Sequence, residues 1–165
     1  MLRRGLILAA IVLLADQASK WAVLELLRLP EVRHIPLLAL GPFGLDLTMV
    51  WNRGVTFGLL AADGPSGQAV LSGVALLVSA FLVRWMVRAE NRLTAYALGA
   101  IVGGAVGNVI DRVRFGGVAD FLDAHGWGWH WYVFNLADAA IVLGVLALVG
   151  DALFRPSPKA KGAAP

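Results

Sequence analysis

Along this chain, apolar runs of about twenty residues alternate with shorter polar stretches. Residues 5–27 form the first run, G-L-I-L-A-A-I-V-L-L-A-D-Q-A-S-K-W-A-V-L-E-L-L. At ~1.5 Å per residue, a helix over it is ~35 Å long, enough to cross the ~30 Å of bilayer hydrocarbon. Arg3 and Arg4 ahead of an apolar core also describe a cleaved secretion signal. The apolar pattern continues past Lys20, however, and no A-x-A site closes it, so the run reads as a span. Residues 68–88 and 93–110 form the second and third runs, and the fourth extends from about Tyr132 to Phe154. Gly99, Gly103 and Gly107 recur every four residues within the third. They share one helix face, where a second helix can approach closely.

Residues 28–67 break this pattern with Pro30, Pro36, Pro42 and Pro65. Within them Leu45, Leu47, Met49 and Trp51 alternate with Asp46, Thr48, Val50 and Asn52. Period two predicts a half-buried strand, and Asn52-Arg53-Gly54 predicts the turn that ends it. Phe57 to Ala62 is a short apolar segment expected on the membrane surface. The tail over residues 156–165, P-S-P-K-A-K-G-A-A-P, is expected to be disordered and cytoplasmic. One integral membrane domain is expected over residues 1–155.

Composition agrees. The 165 residues are 59% hydrophobic and 15% charged, and mean hydropathy is +0.74; soluble domains are about half apolar and about a quarter charged. The net charge of +3 is carried at the ends of the apolar runs, not in the aromatic-interleaved basic stripe that nucleic acid requires. The absence of cysteine excludes disulfides, thiolate catalysis and Cys-ligated metals. Arg3, Arg4, Arg84, Arg88, Arg92, Arg155, Lys159 and Lys161 fall on one side of the predicted spans. Arg28, Arg33, Arg53, Arg112 and Arg114 fall on the other. The bias puts both termini in the cytoplasm, with residues 28–67 and 111–131 facing outward. Trp127, Trp129, Trp131 and Tyr132 then suit an interfacial aromatic belt.

Against this background the polar groups near the spans need a reason. Asp16 is mid-span in the first run, with Lys20 at i+4 in the favourable acid-first order; the pair reads as structural. Asn108, Asp111 and Arg112 share a face at the outer end of the third span, as scaffold or substrate contact. Asn135 and Asp138 are spaced i, i+3 in the fourth, with no basic residue from 132 to 154, so Asp138 needs a partner from another segment. Asp120 and Asp123 lie in what reads as an outward loop. Two close carboxylates share a proton: one polarises a carbonyl while the other activates water. By spacing alone that pair is any two of Asp111, Asp120, Asp123 and Asp138. A proton-coupled carrier using Asp16, Asp111 and Asp138, or a lipid-facing scaffold subunit, fits the same charges. Ser19 and Lys20 are adjacent and diverge on a helix, and His34, His125 and His130 lack H-E-x-x-H spacing.

Five blocks in order carry a further signal: D-Q-A-S-K at 16–20, N-R-G-V-T-F-G at 52–58, G-G-A-V-G-N-V-I-D-R at 103–112, V-A-D-F at 118–121 and F-N-L-A-D-A-A-I at 134–141. With these the chain resembles the bacterial lipoprotein signal peptidase (signal peptidase II) family. The resemblance implies an all-α membrane bundle of four transmembrane helices with a small extracytoplasmic β-cradle, in the bacterial plasma (inner) membrane, both termini cytoplasmic and the site at the outer face. It implies a metal-free and cofactor-free aspartic endopeptidase, inhibited by globomycin-type peptides. Such an enzyme cleaves diacylglyceryl-modified prolipoproteins before the lipid-bearing cysteine. Its partners would be that substrate and membrane lipid, with no nucleic acid, and the expected state is a monomer. Asp120 and Asp138 match the catalytic pair. Asn52, Gly54, Asn108, Arg112 and Asn135 match substrate-binding or site-supporting positions, and Asp16, Lys20 and Asp111 structural polar ones. Thr56, where Ala is usual, and Ala119, where a larger β-branched residue is common, depart from the pattern.

Overall fold

The computed structural model describes residues 1–54 and 64–154. The surface segment expected at Phe57 to Ala62, the departure at Thr56 and the tail over 156–165 lie outside the described residues. Four helices are long and apolar enough to cross a membrane. They are α1 (Leu2–Trp21), continued by a π-helical turn over Ala22–Leu26, then α3 (Pro65–Val87), α4 (Arg92–Phe115) and α5 (Leu136–Phe154). The first three expected spans are found, each somewhat longer than its apolar run, because a helix continues past the hydrocarbon until its cap. Asn91 caps α4 by accepting from Thr94 N at 2.7 Å, and Gly116, at φ +69, ends it.

The fourth span differs from expectation. Its helix starts at Leu136, because Phe134 bridges to Leu122 of β3 (Val118–Gly126) instead of coiling: Phe134 N donates to Leu122 O at 3.0 Å. Asn135 is therefore not within the helix but caps it. Asp138 N donates to Asn135 Oδ1 at 2.9 Å, and Asn135 N returns a bond to Asp138 Oδ2 at 3.3 Å. This reciprocal capping box sets Asp138 in the first turn of α5.

The long helix α4 is the buried axis of the bundle. Its glycine row faces α1, as the four-residue repeat predicts. A Cβ at Gly99 or Gly103 would overlap the carbonyl of Gly5 or Ala9, and one at Gly107 would meet the Asp16 carboxylate. Close approach is what lets polar groups on α1 reach α4 inside the bundle. At the end where α1 begins and α5 finishes, Asp151 Oδ2 accepts from Asn91 Nδ2 and Thr94 Oγ1, both at 3.0 Å, and ties α5 to the start of α4.

The other end carries a four-stranded antiparallel sheet in the order β1-β2-β3-β4. Its strands are β1 (His34–Leu40), β2 (Phe43–Asn52), β3 and β4 (Trp129–His130); a short turn, α2 (Leu29–Val32), precedes β1. The strand expected from the period-two pattern is β2. The stretch holding Asp120 and Asp123, read from the sequence as a loop, is a strand. Its apolar residues Val118, Ala119 and Phe121 are buried with no polar partner between them except Asp120, so the pattern looks continuous, as in a strand covered on both faces. A one-residue irregularity between Leu47 and Val50 offsets β2 against β3. As a result Val50 faces Asp120 and Asn52 faces Val118, which puts Asn52 diagonally across from Asp120.

Candidate active site

Three elements converge where the sheet meets the bundle. Helix α4 ends in the two-glycine turn Gly116-Gly117, which returns the chain as β3 within two residues. That reversal sets Asp120 against the last turns of α4, and the capping box aims Asp138 at the same place. Asp120 is 1% exposed. Its Oδ1 accepts from Asn135 Nδ2 at 2.6 Å and its Oδ2 from Asn52 Nδ2 at 3.0 Å. Asp138 Oδ1 accepts from Asn108 Nδ2 at 2.9 Å; this is the partner from another segment that Asp138 requires. The asparagines are themselves held in place. Asn52 Oδ1 accepts from Gly54 N at 3.1 Å, the contact that gives Gly54 its place. Asn135 Nδ2 also donates to Asn108 Oδ1 at 3.2 Å.

Behind this shell lies a buried charge cluster. Lys20 Nζ sits between Asp16 Oδ2 at 2.9 Å and Asp111 Oδ2 at 2.7 Å, with all three residues at most 2% exposed. The cluster is more than an intrahelical pair. Lys20 Nζ also donates to Asn108 Oδ1 at 3.2 Å, Ala137 N donates to Asp16 Oδ1 at 3.1 Å, and Ala119 N donates to Asp111 Oδ2 at 3.2 Å. Helices α1, α4 and α5 and strand β3 are thus pinned to one ammonium. Gln17 was not singled out by sequence reasoning, yet its Nε2 donates to Asp111 Oδ1 at 3.1 Å and to Asp16 Oδ2 at 3.2 Å. The signal was available, since Gln17 precedes Ala18 inside an apolar run. Arg112 is half-buried. Its guanidinium donates to Asn108 O at 3.3 Å and acts electrostatically on Asp138, Asp120 and Asp111.

Asp123 is elsewhere. Three residues along a strand reverse the face, and Asp123 accepts from Thr48 Oγ1 at 3.0 Å and meets His130 Nδ1 at 2.9 Å. The same outer layer gathers the other histidines, with His125 Nε2 at 3.1 Å and His34 Nε2 at 3.6 Å from Asp46 Oδ2. Among the described residues no group of three or more His, Asp or Glu is placed to hold a metal ion.

Burial pushes the Asp120 carboxyl up to about 7, with the charge of Asp138 acting in the same direction; the bonds from Asn52 and Asn135 and the charge of Lys20 oppose this. The folded protein therefore holds this proton more tightly than the unfolded chain, in which the group titrates near 3.8. Stability from this group is complete below that value and is lost as pH rises through about 7. The thermal midpoint is expected to fall between about pH 4 and pH 7 and to level off above that, and Asp120→Asn to flatten the decline. Equal slopes in the two proteins would remove Asp120 as its source.

A sequence model of the family described as "Signal peptidase (SPase) II" matches residues 8–154. The chain is 48% identical over 161 residues to a lipoprotein signal peptidase of Methylobacterium sp. (strain 4-46), covering 92% of this chain and 95% of that protein. It is 43% identical over 164 residues to a lipoprotein signal peptidase of Nitrobacter hamburgensis, covering 97% of each. A solved bacterial membrane enzyme aligns with TM-score 0.74 at 25% identity over 93% of this chain and 94% of that one. A second, at 24% identity and TM-score 0.78, shares the fold.

Proposed function

The chain belongs to the signal peptidase II family and is a membrane-spanning aspartic peptidase that removes signal peptides from lipoproteins; we propose that Asp120 and Asp138 carry its chemistry. The observation behind the assignment is that two carboxylates from different elements meet in one asparagine shell, where the charge of Asp138 acts on Asp120. Asp120, buried and held near neutrality, is the acid. Asp138 lies in the first turn of α5, where the helix dipole favours an anion, and is the base.

In the proposed cycle Asp138 takes a proton from water as the oxygen attacks the scissile carbonyl, and Asp120 gives its proton to the carbonyl oxygen. The resulting diol collapses, the carbon–nitrogen bond breaks, and Asp138 passes its proton to the leaving amine. Asp120 recovers its own from the diol. Asn52, Asn108, Arg112 and Asn135 hold the two carboxylates in reacting geometry, Gly54 fixes Asn52, and Asp16, Lys20 and Asp111 fix the elements behind them.

The substrate is read as a diacylglyceryl-modified prolipoprotein cut before the lipid-bearing cysteine. Two acyl chains would hold that cysteine near the headgroups, and Asp138 begins the fourth span just below Trp131 and Tyr132. Arg3 and Arg4 at the start of α1, away from the sheet, support a reading in which the protein lies in the plasma membrane with both termini cytoplasmic. The site then faces outward, in a monomeric domain over residues 1–155. Purified protein in detergent, given a diacylated prolipoprotein, should produce a globomycin-sensitive gel shift; no shift with competent substrate would remove the reading. In the same assay Asp123→Asn is expected to retain its rate, losing only about 1 kcal/mol of stability with the Thr48 bond. A folded but inactive Asp123→Asn would reassign the acid.

A further inference from the structure

The end of the bundle away from the catalytic pair carries a feature that peptide cleavage does not use. Val74, Leu77, Phe81, Arg84 and Trp85 occupy one face of α3, and Arg88, its C-cap, continues that face. At ~100° per residue they all fall within about 60° of Phe81. Val74, Leu77, Phe81 and Trp85 are 54%, 73%, 66% and 43% exposed, and both arginines are exposed. The opposite face holds the buried residues Leu82 and Met86, packed in the core. Phe81, Arg84, Trp85 and Arg88 line a hollow of ≈ 350 Å³. Neither guanidinium forms an ion pair with any described residue. Met86 lies against Gly5, so Arg3 and Arg4 add positive charge at this end.

The shape is amphipathic along the membrane normal. A rim of two forked cations and an indole stands above a phenyl floor, and the floor continues as an apolar stripe. From Arg84 to Val74 the stripe runs ten residues, ~15 Å, the depth of one hydrocarbon leaflet. Guanidinium pairs match phosphate oxygens through two-pronged, charge-assisted hydrogen bonds, and tryptophan favours the headgroup layer. A headgroup that also carried an ammonium would meet the arginines with like charge. We propose that this hollow binds the phosphate of an anionic glycerophospholipid such as phosphatidylglycerol, with an acyl chain lying along the α3 stripe. With the termini in the cytoplasm, the lipid belongs to the inner leaflet. Arginines that merely extend to the interface would accept any phospholipid equally, so selectivity decides between the two.

The test is native mass spectrometry of the delipidated protein in detergent, titrated with phosphatidylglycerol, phosphatidylcholine or inorganic phosphate. One phosphatidylglycerol is expected to be retained, about tenfold or more tightly than phosphatidylcholine. Arg84→Gln/Arg88→Gln should abolish that preference, and Arg84→Lys/Arg88→Lys, which keeps charge but not the forked donors, should retain part of it. Cleavage of a detergent-solubilised substrate and the thermal transition should be unchanged in both. Equal retention of the two lipids, or a preference that survives the glutamine substitutions in folded protein, would overturn the proposal. Displacement of the lipid by an equal concentration of inorganic phosphate would overturn it too, leaving a simple anion site.

Discussion

Asparagine in place of Asp120 or of Asp138 should abolish prolipoprotein cleavage while the protein still inserts and folds. General acid–base catalysis is worth about 10²–10⁴-fold per positioned group, and in a pair sharing one proton each substitution disables both steps. The isosteric change is not silent in the fold. Asn135 is oriented by donation from Asp138 N to its Oδ1, and Asn52 by donation from Gly54 N to its Oδ1. Neither amide is free to turn its oxygen toward Asp120. The side chain introduced by Asp120→Asn would therefore set an NH₂ against one of two fixed NH₂ donors, costing about 1–3 kcal/mol. Cleavage must accordingly be measured beside the thermal transition, at a pH below 7, where the protonated Asp120 of the parent is the fair comparison. Asp138→Glu separates geometry from charge: it keeps the anion but moves it by a methylene, and should also be slow. Full activity in Asp120→Asn or Asp138→Asn would refute the pair.

The four spans were legible because a hydrocarbon environment imposes one simple pattern over twenty residues, and the glycine row gave the α1–α4 approach for the same reason. The sheet was half legible. In β2, with one face more covered than the other, Leu45, Leu47, Met49 and Trp51 alternate with Asp46, Thr48, Val50 and Asn52, three of them polar. In β3 the buried residues Val118, Ala119 and Phe121 hide the period. Yet once β3 is recognised as a strand, Asp120 and Asp123 fall on opposite faces by geometry alone. A distinction that motif similarity supplied at the sequence level thus has a physical basis. The start of α5 was misplaced because apolar Tyr132, Val133 and Phe134 read as helix, whereas the backbone of Phe134 bridges to Leu122 and holds the chain out of the helix up to that point. The reach of Lys20 was not legible at all. An i, i+4 pair is visible in one helix, but Asp111 and Asn108 join it only through the close packing at Gly107.

That wider reach makes Lys20→Met the substitution with the largest expected cost to stability. The ammonium is the cation that forms salt bridges with both Asp16 and Asp111, each fully buried. Removing it leaves two carboxylates facing one another in a low-dielectric interior, a change worth about 3–5 kcal/mol for a broken buried pair. Such a loss is a large share of the ~5–15 kcal/mol that holds a typical domain. Folded yield should fall sharply, and Asp16→Ala, which leaves Lys20 still paired with Asp111, should fall less. Because Lys20 Nζ also donates to Asn108 Oδ1, and Asn108 donates to Asp138, the surviving Lys20→Met protein should turn over more slowly as well. The charge account has its own control. Asp16→Asn/Lys20→Met/Asp111→Asn removes all three charges together and should recover most of the yield lost by Lys20→Met alone, since no unpaired ion remains inside the bundle. If the triple variant is no better folded than Lys20→Met, the ammonium's role is packing of its chain between the helices, and the buried carboxylates are not what makes its loss costly.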